Sequence, residues 1–268
     1  MTPSQRHPWL RPAAVCAHRT RRRLRWLTSG SSWARVHAHD PLPVRVLRHD
    51  SPLRRDLAAA EQPLQDGKVV NLRLAAGRVD GLLIRPGETF SVTRTVGNCT
   101  RRKGYVDGLR LADGVPVAGV GGGLCQLANL VHWLVLHSPL TVVDRSEHSV
   151  DPFPDRDRVV PWGVGCTIVY NYVDLVVRND TTTTFQLRVR VTEPHLRGEL
   201  LADRPLATTY EVVSRAEEFV LVDGVVHRRN EIWRRGTDAR TGAVADELVR
   251  RNCARVLYDV DPALVVEG

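Results

Sequence analysis

None of the five cysteines, Cys16, Cys99, Cys125, Cys166 and Cys253, forms a C-x-x-C pair or joins a histidine cluster. That spacing signals neither a disulfide framework nor a zinc site, so no metal and no cofactor is expected. An odd number of thiols at low density suits a reducing compartment. A secretory leader is missing too. Arg19-Thr20-Arg21-Arg22-Arg23 supplies positive charge, but Leu24 to Gly30 behind it is not an apolar h-region, and the expectation is a cytoplasmic protein. There is no internal repeat at a fixed period. Acidic residues are scarce in one place: residues 1–55 hold twelve arginines, no lysine and only Asp40 and Asp50, a charge of +10. The whole chain carries +8, which leaves −2 for the rest, so the basic character belongs to the N-terminal segment alone.

What is present is enough for a sizeable core, since 43% of the 268 residues are apolar. The most informative stretch is Gly119-Val120-Gly121-Gly122-Gly123-Leu124-Cys125-Gln126, which runs into an apolar segment ending at Leu136. Four glycines in five positions followed by a run without Gly or Pro predict a turn that opens into a helix over Leu124 to His137, ended by Pro139. Its apolar residues leave almost no polar face, which places it in a core, and it is too short to cross a bilayer. At 100° per residue its few polar groups, Cys125, Asn129 and His132, share one stripe.

Cys125 falls in the first turn, where unpaired N–H groups and the helix dipole favour a thiolate. The same N–H groups, bared by Gly121, Gly122 and Gly123, suit a developing oxyanion, with Gln126 and Asn129 beside them. The competing expectation is a buried structural cysteine under a turn that only lets the backbone pack closely. A phosphate cradle fits less well, because Gly-Lys-Ser/Thr and the third Rossmann glycine are both lacking.

A thiolate nucleophile needs a base, and the base needs an orienting group. His132 lies about 10 Å down the helix axis and is a poor candidate. His148 follows a return strand and can come back to the helix start, and Asp174 can bind its second ring nitrogen. Either residue can equally be structural, His148 as a strand-end histidine and Asp174 as an edge cap. Glu88, after Pro86-Gly87, is a further candidate carboxylate or a plain turn residue. Elsewhere, Asp66 to Asp80 predicts a second helix. Strands are expected at Thr89–Val92, Leu140–Arg145, Cys166–Tyr170, Asp174–Arg178 and Phe185–Val191, and over much of the chain beyond, with hairpin turns at Ala112-Asp113-Gly114 and Asp223-Gly224. The fold class is α+β: a buried helix with its cysteine at the N-terminus, packed on antiparallel sheet, with a β-rich C-terminal part. A short amphipathic piece around Arg21 to Val36 suits an anionic membrane surface. No nucleic-acid partner is expected.

Asn71-Leu72-Arg73-Leu74-Ala75-Ala76, the run Gly81 to Ser91, Gly121-Gly122-Gly123-Leu124-Cys125-Gln126, Leu136-His137-Ser138-Pro139-Leu140 and Val176 to Thr181 together resemble the VanW family, strongly from about Lys68 to Asn179. The resemblance implies an accessory of glycopeptide resistance in stand-alone members. In exported members it implies cysteine-dependent L,D-transpeptidation of peptidoglycan stem peptides, mapped here onto Cys125 with His148 as the matching histidine. The sequence departs from the family pattern at Cys166, where an Asp commonly precedes an Ala-Thr pair. If that Asp orients the base, its role passes to Asp174 or is lost. The organisation that follows is a basic, partly disordered arm over 1–55, a VanW-like domain over 56–190 and a β-rich extension over 191–268 packed on it. Two functions compete. One is a cysteine-dependent acyl transferase or amidase-like enzyme of cell-wall metabolism acting on a peptide amide. The other is a non-catalytic module that binds cell-wall precursor at the inner membrane face.

Overall fold

The computed structural model describes residues 11–54, 62–112, 115–146, 150–151, 154 and 159–267. Helix α1 (Arg11–Thr28) leads to strands β1 (Ser32–Trp33) and β2 (Val44–Pro52), then α2 (Gln62–Val79). Next come β3 (Leu82–Ile84), β4 (Glu88–Ser91), the short α3 (Val92–Val96) and the paired β5 (Asp107–Ala112) and β6 (Val115–Val120). Helix α4 (Cys125–Leu136) follows, then β7 (Thr141–Asp144), β8 (Val150–Asp151), β9 (Val176–Arg178), β10 (Phe185–Thr192) and β11 (His195–Ala202). The chain closes with β12 (Thr208–Val222), β13 (Val225–Asp238), β14 (Val244–Val256) and β15 (Val265–Glu267). This is an α+β protein with a β-rich C-terminal part.

Eight of the twelve residues of α4 are buried, as a helix with no polar face requires. One side of it lies on the sheet of order β2-β11-β10-β3, where Gly198 of β11 leaves room for Leu130: a Cβ there would stand 2.8 Å from the leucine. Leu127, Leu130, Val131 and Leu134 join Val69, Leu72, Ala76 and Val79 of α2 and Phe185, Leu187, Leu196 and Leu200 of the sheet in one core. Each such Val, Leu or Phe side chain contributes about 1.5–3 kcal/mol on burial. The last turn of α4 reaches a smaller cluster, Leu136, Val164, Val212 and Ile232, through which the sheet of order β15-β12-β13-β14-β8 packs on the main body. Asp223 and Gly224, at φ +50° and +74°, form the tight turn between β12 and β13, the primed geometry that Asp-Gly favours. The other predicted turn, Asp113-Gly114, lies outside the described residues, but the strands it joins pair over their whole length.

Residues 11–54 of the N-terminal segment hold regular secondary structure. Residues 11–28 are helical, and Trp33 and the 44–52 stretch are strands: β1 runs parallel to β4, and β2 runs antiparallel to β11 from Val44↔Ala202 to Pro52↔His195. Arg45 and Arg48 obscured a strand whose Val44, Val46 and Leu47 pack on the core. The amphipathic piece expected around Arg21 to Val36 is therefore two elements, with a break after Thr28.

Candidate functional site

The glycine turn is built for close approach of three backbones. A Cβ on Gly122 would lie 2.2 Å from the Gly108 carbonyl oxygen of β5, and one on Gly123 would lie 1.9 Å from Cγ of Lys68 on α2. Gly121 and Gly123 have φ of +74° and +95°, a region that favours glycine. Asn71 of α2, fully buried, donates from Nδ2 to the Val106 and Gly122 carbonyls at 3.0 Å each and accepts the Val106 N–H at 2.9 Å. It thereby fixes the turn to both the helix and the hairpin.

In the first turn of α4 the Gln126 N–H bonds to Gly123 O at 3.0 Å and the Leu127 N–H to Leu124 O at 3.1 Å. The N–H groups of Leu124 and Cys125 find no backbone acceptor among the described residues. The Gln126 side chain turns to the end of β2, donating to Ser51 Oγ at 2.9 Å and Pro52 O at 2.7 Å.

The polar stripe on α4 is a ladder. Asn129 Oδ1 accepts the Cys166 N–H at 2.6 Å, His132 Nδ1 bonds to Val164 O at 2.8 Å, and the Ile168 N–H points at the Cys125 sulfur. Three or four helical residues rise about 4.5–6 Å and two extended residues about 6.6 Å, so alternate residues of the strap 164–168 roughly keep step with the stripe, running the opposite way. The strap's other edge is held by Arg145, which donates to the Gly163 and Gly165 carbonyls, and by Ser146, whose carbonyl accepts the Thr167 N–H at 2.8 Å.

Cys125 is half-buried. Burial pushes its thiol above the ordinary range, against the opposing pull of the Ile168 N–H and the Arg110 charge. The lowered pKa expected at a helix start is thus overturned: desolvation outweighs the partial charge of the helix end. Cys166 is fully buried and its thiol is pushed up to about 12 by burial, although Arg145 donates to it.

Asp174 and Glu88 make their bonds outside the ladder. Asp174 accepts from Ser91 Oγ at 2.5 Å and from the Thr93 N–H at 2.9 Å, and Ser91 Oγ accepts the Arg94 N–H, so the two side chains cap α3 together. Burial raises the Asp174 pKa despite those bonds. Glu88 accepts the Arg85 N–H at 2.8 Å and closes the Pro86-Gly87 turn. His148 lies outside the described residues. The structure therefore gathers Cys125, Asn129 and the three glycines, and engages Gln126, Glu88 and Asp174 in structural bonds elsewhere. Sequence reasoning missed Arg110 and Arg145, and it read Cys166–Tyr170 as a strand where the structure has an extended strap with isolated bridges that serves the helix stripe, because a lone arginine and a main-chain pairing carry no periodic signal. Among the described residues no three His, Cys, Asp or Glu side chains are placed to hold a metal ion. No described helix is long and apolar enough to cross a membrane.

A thiol at the start of an interior helix, behind a triple-glycine turn and faced by an extended strap, defines a cysteine-bearing α+β domain. Residues 67–201 match the family model described as VanW like protein. The chain is 31% identical over 265 residues, covering 98% of itself and 96% of the relative, to the Vancomycin B-type resistance protein VanW of Enterococcus faecalis (strain ATCC 700802 / V583). It is 38% identical over 96 residues, 35% of itself and 32% of the relative, to the Uncharacterized protein YoaR of Bacillus subtilis (strain 168). The chain belongs to the VanW family. No solved structure matches it.

Proposed function

We propose that this chain serves glycopeptide resistance through cell-wall metabolism, as a cysteine-dependent acyl transferase acting on a peptide amide. The supporting observation is the surroundings of Cys125. It is half-buried in the first turn of α4, with the Leu124 and Cys125 N–H groups bonded to no backbone carbonyl among the described residues and the Ile168 N–H directed at its sulfur. The chain leading to His148 passes close by: Ser146 bridges to Thr167, the neighbour of Ile168, and Val150 and Asp151 resume as β8 against β14.

In the proposed reaction the Cys125 sulfur forms a bond to the amide carbonyl carbon while His148 takes the thiol proton. The Leu124 and Cys125 N–H groups receive the oxyanion, the C–N bond breaks, and the proton passes to the departing amine. A second amine or water then releases the acyl group from the thioester. Because burial keeps the resting thiol protonated, proton removal belongs to the attack step and not to a preformed thiolate. Asp174 would orient His148 only if it gave up its bonds at α3.

The ladder favours a second reading, a non-catalytic module that binds precursor, since all three polar groups of the stripe already have strap partners. Incubating the chain with a stem pentapeptide and a dipeptide amine separates the two. The enzyme reading expects a new amide product, a peptide thioester on Cys125 by mass spectrometry, and losses of about a thousandfold or more in Cys125→Ala and His148→Asn. Turnover unchanged in Cys125→Ala, or no product and no thioester with the native chain, would overturn it. Iodoacetamide gives a separate check on the resting state: Cys125, followed by peptide mapping, is expected to alkylate more slowly than free cysteine at pH 7, with a rate still climbing above pH 9.

A further inference from the structure

Helix α1 carries six arginines and no acidic residue over Arg11–Thr28, and it is docked by one face only. Arg22 pairs with Asp144 at 2.6 Å and donates to Tyr172 O at 3.1 Å. Trp26 accepts at its carbonyl from Trp33 Nε1 and lies under the Arg94 guanidinium at 5.3 Å. His18 stands edge-on to Tyr172. These contacts fix the helix rotationally, so what faces outward is determined.

At 100° per residue Ala13, Cys16, Ala17, Thr20, Leu24 and Leu27 fall within an arc of about 100° on the far side from Arg22. All six are exposed, Leu24 at 55% and Leu27 at 79%. Arg21 and Arg23 flank the arc on either side, and with Arg25 they have no ion-pair partner among the described residues. An apolar stripe turned to solvent and edged by unpaired cations is the reverse of what a docked helix presents in water.

We propose that the outward face of α1 seats on an anionic phospholipid surface while its inward face stays on the protein. The leucines would enter the boundary between headgroup and acyl chain, and the arginines on the rims would reach lipid phosphates. A helix with six arginines in 18 residues lies on such a surface and does not span it. The apolar centre of the stripe is the reason for choosing lipid over a nucleic acid, which would call for cations along the middle of the face. This inference is independent of whether Cys125 is catalytic.

The test is co-sedimentation of the full chain with vesicles of equimolar phosphatidylglycerol and phosphatidylcholine, and with phosphatidylcholine alone. The native chain is expected to pellet with the anionic vesicles only. Leu24→Glu with Leu27→Glu should weaken partition at least about tenfold, and Arg21→Gln with Arg23→Gln about fivefold per arginine. Both pairs are solvent-exposed, and unchanged circular dichroism melts confirm that the variants fold. Failure to pellet with anionic vesicles overturns the proposal. So does full binding by the leucine variant, since an interaction carried by the arginines alone marks a soluble polyanion such as duplex DNA as the partner.

Discussion

Gly122→Ala is expected to destabilise the protein by about 3 kcal/mol or more and to dismantle the turn that carries Cys125. The added methyl meets the Gly108 carbonyl oxygen at 2.2 Å and its carbon at 2.3 Å, backbone atoms that no rotamer change can move. Relief requires β5 to shift away. The Asn71 side chain, bonded to Gly122 O and to both polar groups of Val106, would then lose buried hydrogen bonds as well. Gly77→Ala is the control, because it lies in α2 with nothing within 4 Å of the added carbon and should stabilise by about 0.5–1 kcal/mol. Urea titration followed by circular dichroism reads both. A Gly122→Ala midpoint equal to the native one would mean that the three backbones are not packed as described.

The second large effect is acid lability set by His132. This imidazole is buried at 1% exposure, and its pKa is lowered to about 3 by burial first and the Arg145 charge next. The unfolded chain binds a proton near pH 6.5 and the folded one only near 3, so the native state binds fewer protons throughout that window. Stability from this group is complete above pH 6.5 and is lost as pH falls toward 3, by roughly 4–5 kcal/mol at the limit. His132→Asn keeps a donor for the Val164 carbonyl at the place of Nδ1 but does not titrate. Its denaturation midpoint should fall distinctly less than the native one between pH 6.5 and 4. Parallel pH profiles for the two proteins would remove His132 as the cause.

How much of this was legible in the sequence depends on how local the signal was. The central helix, its glycine turn and the single stripe of Cys125, Asn129 and His132 follow from spacing alone, and the helix differs from expectation by one residue at each end. The Asp223-Gly224 hairpin was equally clear, because one dipeptide sets its geometry. What the stripe faces was hidden, because the strap is recognised through main-chain groups that every residue type offers. The thiol's direction was misjudged for a related reason: a helix start can be seen in one dimension, whereas desolvation depends on what the fold packs around the sulfur, and here it outweighs even the opposing Ile168 N–H and Arg110 charge. In the N-terminal segment the arginines of β2 outweighed its alternation, and only the pairing with β11 reveals the strand.

Asn129, His132 and Ser146 fasten residues 164–167 through peptide groups, as Arg145 does at Gly163 and Gly165 beside the bond it also gives the Cys166 thiol. The segment can therefore drift in residue identity where its side chains fit, and a cysteine can stand at 166 without disturbing the Asn129 bond. Its length has no such freedom. Removing one residue would turn the N–H and C=O groups beyond it to the opposite edge, away from the helix, so this short passage is constrained as a measure of distance more than as a text.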